Sequence, residues 1–262
     1  MKLVDVHAHL DFPEFEKDLP EVLERAEKAG VKHVICQGVH HESNVNVLKL
    51  AKKFPVCKAA LGIYPLNPKN VKVDDEYNFD FDRSSEKAFE ETLEFIKSKK
   101  EEIVAIGEVG IDLKFSTDEK QQVKNFENII ALSEKIKKPL IIHSRKAESL
   151  ILDILESSSI KEADLHCFSG KKKLVKRAVD LGLTFSIPAN VVRSPQFQMN
   201  VELIPITQML TETDAPYLSP EPGRRCEPRD VLGAVKKIAE IKKMDVEEAA
   251  NNIFMNYQRL FG

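Results

Sequence analysis

No glycine precedes Gly30, so the chain lacks the glycine-rich turn that follows the first strand of a dinucleotide-binding sheet. That absence weighs against a doubly wound open sheet. There is no CxxC pair either: Cys36, Cys57, Cys167 and Cys226 are widely spaced, which weighs against a disulfide or a zinc ribbon. Three of the four lie in apolar runs, predicting buried free thiols in a reducing compartment. No apolar stretch approaches the ~18 residues of a transmembrane helix. The opening Met-Lys-Leu-Val-Asp-Val-His has no signal-peptide architecture, so the expected location is cytoplasmic. Charge of one sign is not in excess. Lys and Arg number 39 against 42 Asp and Glu, a net charge of −3, which excludes nucleic-acid binding by bulk charge but not by a local basic patch. Tryptophan is absent and aromatics make up 7%, limiting base stacking to a few residues such as Phe168 or Tyr217. Low-complexity runs are also missing, and 42% hydrophobic content excludes intrinsic disorder.

What the chain does have is alternation. Short β-branched runs occur at Lys2–Val6, His33–Gln37, Cys57–Leu61, Ile103–Gly107, Pro139–Ile142, Ala163–His166, Leu183–Ile187 and Ile206–Leu210. Amphipathic helical patterns lie at 17–29, 42–53, 85–99, 118–137, 146–156, 171–181, 195–203 and 228–242, with a last helix over Asp245–Arg259 capped by Asp245. Strand–helix alternation implies right-handed βαβ units and a parallel sheet. Eight units in 262 residues predict an α/β fold of the (β/α)8 TIM-barrel type, a single domain over 1–262. Residues 67–82 read as an extended loop, and no internal repeat is evident.

The ionisable residues fall at the ends of these runs. His7 and His9 follow the first, Glu108 the fourth, His143 the fifth, His166 ends the sixth, and Asp214 follows the eighth. A barrel brings all such ends to the one face that carries active sites. Four imidazoles and two carboxylates crowded there need a cation to organise them. In extended backbone His7 and His9 project to one side, offering two nitrogens to one ion. Glu108 can bridge two ions, with Asp214 completing the first and His143 and His166 the second. Such N/O donors suit Zn²⁺, Mn²⁺, Fe²⁺ or Ni²⁺, and Mg²⁺ less well. His33 begins a run, and His40 and His41 sit in a following loop, so these three read as structural or solvated.

Laid out in order, the motifs Asp5-Val-His-Ala-His-Leu10, Gly107-Glu-Val-Gly-Ile-Asp112, Ile141-Ile-His-Ser-Arg145, His166-Cys-Phe-Ser-Gly170, Glu212-Thr-Asp-Ala-Pro-Tyr-Leu218 and the ending Asn256-Tyr-Gln-Arg-Leu-Phe261 resemble the TatD family of metal-dependent deoxyribonucleases. The resemblance implies a TIM barrel, a dinuclear metal centre and hydrolysis of DNA phosphodiesters. It places His7, His9, Glu108 and Asp214 on one ion and Glu108, His143 and His166 on the other. The chain departs from the family at Gly62-Ile-Tyr-Pro-Leu66, where Tyr64 replaces a histidine and becomes a candidate substrate hydrogen-bonding group. It departs again at Lys146 and at Cys226, and neither change touches a proposed metal ligand.

The expected mechanism is attack on phosphorus by a metal-activated water, with Asp214 orienting it or accepting its proton. Arg145, Arg224, Arg225 and the run Lys171, Lys172, Lys173, Lys176, Arg177 bring positive charge near the mouth. Cations at a helix N-terminus oppose the helix dipole, so a polyanion accounts for that cluster where local stability does not; a solvated lysine-rich face is the other reading. Arg145 and Arg225 are the expected phosphate contacts, because arginine can hold two oxygens at once. The expected substrate is DNA, single-stranded or at frayed ends, and the expected state is a monomer. The competing readings are cleavage of a small amide, lactone or phosphotriester, ester cleavage on misacylated tRNA, and a non-enzymatic barrel that kept its metal site.

Overall fold

The computed structural model describes residues 1–65 and 86–262. The expected loop at 67–82 lies outside the described residues. Eight parallel strands follow one another round the sheet: β1 Leu3–Ala8, β2 Val31–Gln37, β3 Cys57–Leu61, β4 Ala105–Gly110, β5 Leu140–His143, β6 Ala163–His166, β7 Thr184–Pro188 and β8 Met209–Glu212. Helices lie between and after them: α1 Leu19–Ala29, α2 His41–Lys53, α3 Glu86–Ser98, α4 Glu119–Ile136, α5 Glu148–Glu156, α6 Lys172–Asp180, α7 Pro195–Leu203, α8 Val231–Lys242 and α9 Val246–Phe261. This is the (β/α)8 barrel expected from the alternation. Parallel strands covered on one face by helices and filled on the other are shielded from solvent, and the strands are buried along almost their whole length, polar residues such as Asp5, His7, Glu108, Asp164 and Glu212 included.

The seam between β1 and β8 closes through the site residues themselves. The His9 N–H donates to Ala215 O (2.8 Å), the Asp214 N–H donates to His7 O (2.8 Å), and the Thr211 hydroxyl donates to Val4 O (2.7 Å).

Several boundaries shift. β4 runs to Gly110, so Glu108 lies within the strand, and β8 begins at Met209 because Ile206–Gln208 form a 3-10 turn after Pro205. Residues 228–230 are likewise a 3-10 turn that precedes α8. His40 and His41 are not in a loop: His40 caps α2, its Nδ1 accepting the Ser43 N–H, and His41 opens the helix. Asp245 caps α9 as expected, accepting the N–H groups of Glu247 and Glu248. All four cysteines are free thiols, with Cys36, Cys57 and Cys226 buried. Among the described residues no helix is long and apolar enough to cross a membrane.

Candidate metal centre

Strand alternation aims His7 and, beyond the strand, His9 toward the same mouth, and β4, β5, β6 and the β8 loop add Glu108, His143, His166 and Asp214. His7 Nε2 and His9 Nε2 lie 3.3 Å apart. Glu108 Oε2 is 3.4 Å from His7 Nε2 and 3.5 Å from His9 Nε2, and Asp214 Oδ1 is 3.6 and 3.4 Å from the same two atoms. Four donors about 2.0–2.1 Å from one tetrahedral ion sit roughly 3.3–3.4 Å from each other, so these spacings are those of a first shell. The other Glu108 oxygen, Oε1, lies 2.9 Å from His143 Nδ1 and 3.2 Å from His166 Nε2, which are themselves 3.4 Å apart. The donors therefore fall into two sets sharing one carboxylate, and the residues fit a divalent metal centre. All six expected residues converge.

The electrostatics agree with that fit. Burial would raise the Glu108 carboxyl, but the imidazoles of His166 and His7 and the His143 hydrogen bond outweigh it and hold the group well below the usual range. Asp214 is also lowered against its burial, chiefly by His9 and His166. Burial lowers His7, whereas burial of His9, His143 and His166 is overcome by the carboxylates around them and all three are raised. An ion must displace those protons, so its affinity should rise with pH. Adding Zn²⁺ to chelator-stripped protein is expected to raise the thermal midpoint strongly near pH 8 and weakly near pH 6, about 2.7 kcal/mol of stabilisation arising at a hundredfold excess over Kd. Equal unfolding midpoints with and without metal at the higher pH would remove the site.

The outer nitrogens of two imidazoles are held by acids that the sequence reading did not assign. Asp112 Oδ2 lies 3.0 Å from His143 Nε2, and Glu212 Oε2 lies 3.3 Å from His166 Nδ1. Carboxylates placed behind metal-binding histidines set ring orientation and basicity. Asp5 accepts the His7 N–H, the Thr213 N–H and the Thr213 hydroxyl, tying β1 to the β8 loop. A usable signal existed. Asp5 and Asp164 stand two residues before His7 and His166, hence on the same strand face, and Glu212 ends β8 two residues before Asp214. Asp214 itself has φ 54°, a left-handed conformation uncommon outside glycine, and its N–H and C=O are both held, by His7 and Tyr217. Behind the other end of the site, Gly62 is required because a Cβ there would meet Glu108 O at 2.3 Å and N at 2.5 Å.

The site opens into a cavity of about 360 Å³ whose lining includes Phe12, Tyr64, Arg145, Phe197 and Tyr217. The Tyr64 hydroxyl is already engaged, 3.4 Å from both Asp112 Oδ2 and His143 Nε2. Phe168 is not available for stacking: it is 1% exposed and packs edge-on against Phe185. Phe12, missed from sequence, stacks on His9 at 4.8 Å and lines the cavity beside Tyr217.

The cations separate sharply. Arg225 grips both oxygens of Asp18 (2.8 and 2.6 Å), reaches Glu227 and Glu14 O, and lies over Phe15, so the structure commits it to joining the β8 loop to the α1 entry. Arg224 binds Asp230, and Arg177 binds Asp153 and Glu156, leaving Lys171, Lys172, Lys173 and Lys176 as exposed cations of that run. Arg145 rests over the Phe115 ring at 4.8 Å. Every other arginine among the described residues bonds a carboxylate or a backbone carbonyl, whereas Arg145 bonds neither and faces the cavity.

A (β/α)8 barrel with this donor set at its carboxyl-end mouth belongs to the class of metal-dependent hydrolases. The model of the TatD related DNase family matches residues 4–262, and the chain belongs to that family. It is 34% identical over 261 residues to an uncharacterized metal-dependent hydrolase of Methanocaldococcus jannaschii, covering 100% of this chain and 97% of the relative. It is 30% identical to human deoxyribonuclease TATDN3, covering 99% and 94%. Among solved structures, the TatD homolog YJJV of Escherichia coli superposes with a TM-score of 0.85 at 26% identity, covering 99% of this chain and 97% of that one.

Proposed function

We propose that this protein hydrolyses phosphodiester bonds of DNA, acting on single strands or frayed ends, and that His7, His9, Glu108 and Asp214 would hold one divalent ion and Glu108, His143 and His166 a second. The observation that carries the reading is the pair of donor sets sharing one carboxylate, opening onto a cavity whose uncommitted arginine is Arg145. The deoxyribonuclease relative at 30% identity over nearly the full chain supports it over cleavage of a small amide or lactone. Ions held there would supply an acidified water and positive charge to offset that on phosphoryl oxygens.

The chain's own residues do the rest. Glu108 holds the two halves at a fixed spacing. Asp214 has the most open side chain of the site carboxylates, 17% exposed against 3% for Glu108 and 0% for Asp112 and Glu212, so it is the one placed to orient the attacking water or accept its proton. Arg145 holds a phosphate, with its guanidinium kept in place by Phe115. His9 is 4% and Glu108 2% exposed, so the phosphate must be brought down into the mouth. A strand end reaches down into such a mouth more readily than the stacked middle of a duplex. A barrel that closes its own sheet needs no partner subunit, and the monomer is carried forward with this proposal.

Arg145→Ala is expected to weaken DNA binding about tenfold and to reduce the slope of log K against log salt by about one contact, ~0.7 for a single strand. An unchanged slope would remove Arg145 from the phosphate path. The reading as a whole is tested by incubating metal-loaded protein with end-labelled single-stranded DNA. Laddering that chelation abolishes supports it; intact DNA alongside turnover of a small ester or of aminoacyl-tRNA sinks it.

A further inference from the structure

Beneath the donor sets three buried polar side chains from consecutive strands form a line. Ser186 of β7 is the register partner of His166 on β6. Its hydroxyl oxygen lies 2.7 Å from Asp164 Oδ2 and 2.6 Å from Glu212 Oε2. Asp164 and Glu212 are 0% exposed and Ser186 1%, and none of the three lines the cavity. A hydroxyl has one proton and can donate to only one of two carboxyl oxygens, so a carboxyl O–H makes the other contact. Glu212 Oε1 accepts the Cys167 N–H at 2.9 Å, while Asp164 Oδ1 is buried with no hydrogen-bond partner. The contacts therefore run from Asp164 through Ser186 to Glu212 Oε2, and from there to His166 Nδ1. Two carboxyl groups in a barrel interior cost stability compared with apolar residues of similar volume, so packing does not account for them.

We propose that Asp164 and Ser186 are positioning residues that act through Glu212 to fix the ring orientation of His166, and so set the affinity of the donor set formed by Glu108, His143 and His166. This rests on the metal reading above. Neither residue would touch ion or substrate.

The test is Zn²⁺ affinity of the full-length protein, measured by competition with a chromogenic chelator, with His166→Ala identifying the binding step that involves this histidine. Ser186→Ala and Asp164→Ala are expected to raise the Kd of that step about tenfold and to leave the other step within about twofold, the usual scale for residues behind a metal ligand. Asp164→Asn, whose amide can donate to Ser186 Oγ, should stay near wild type. The His166 Nδ1–H resonance of the metal-free protein should broaden or vanish in the alanine variants and persist in Asp164→Asn. Should Ser186→Ala not fold, the Asp164→Ala and Asp164→Asn pair decides alone. Unchanged Kd values in the alanine variants, or equal weakening of both steps with a matching fall in thermal stability, would overturn the proposal. A wild type that takes up no Zn²⁺ would overturn the metal reading first.

Discussion

Replacing Glu108 by glutamine is expected to lower kcat/KM on single-stranded DNA by at least about 10³-fold, roughly 4 kcal/mol of transition-state stabilisation, without unfolding the protein. Both carboxylate oxygens are in use, Oε2 toward His7 and His9 and Oε1 toward His143 and His166. Glutamine has the same shape but one oxygen and no charge. Its amide nitrogen would face two of the imidazoles that it must share with an ion, so one donor set is lost while the backbone of β4 is untouched. Metal content after dialysis, measured beside activity and a far-ultraviolet spectrum, separates the effects. The expected pattern is native secondary structure, reduced metal and no laddering. Equal cleavage by wild type and variant would trace the nuclease to a contaminant.

The second large effect is on stability and comes from the smallest residue near the site. Gly62→Ala should cost about 3 kcal/mol or more, toward the upper end of overpacking, because the added Cβ would lie 2.3 Å from Glu108 O, 2.5 Å from Glu108 N and 2.5 Å from Gly107 C. These are backbone atoms of the neighbouring strand and no rotamer change relieves them. Where the variant folds, β4 must move and carry Glu108 away from its partners, so bound metal should fall with stability. Gly233→Ala is the control. That glycine lies in α8 with its nearest neighbour, Val192 Cγ1, at 3.7 Å, so alanine there should be neutral or stabilising by up to about 1 kcal/mol. Denaturant unfolding of the metal-free proteins measures both. Similar midpoints for the two variants would mean that the strand contact tolerates the extra atom.

The six donor residues were legible because each lies within two residues of the carboxyl end of a strand, and strands can be found from local hydrophobic pattern alone. The barrel count was legible for the same reason. The acids behind the donors carried a weaker signal, the two-residue spacing of Asp5 to His7 and Asp164 to His166, which says that they share a face and not what they touch. Tyr64 shows the limit: its motif placed it beside the site, but only the structure puts its hydroxyl on Asp112 and His143.

Arginine and phenylalanine partners were not legible at all. Arg145 and Arg225 look alike in sequence, each following a site residue and each able to hold two oxygens. Asp18, some two hundred positions away along the chain, occupies one of them, while Phe115 supports the other and leaves its donors to the cavity. Phe168 likewise looked available until Phe185 on the next strand covered it. The sequence by itself determined which donor types stand at which strand ends, since backbone periodicity is a local property. Which charges are neutralised, which rings are buried and which oxygen faces which nitrogen were decided by the register of neighbouring strands and by contacts between distant segments, and these exist only once the barrel has closed.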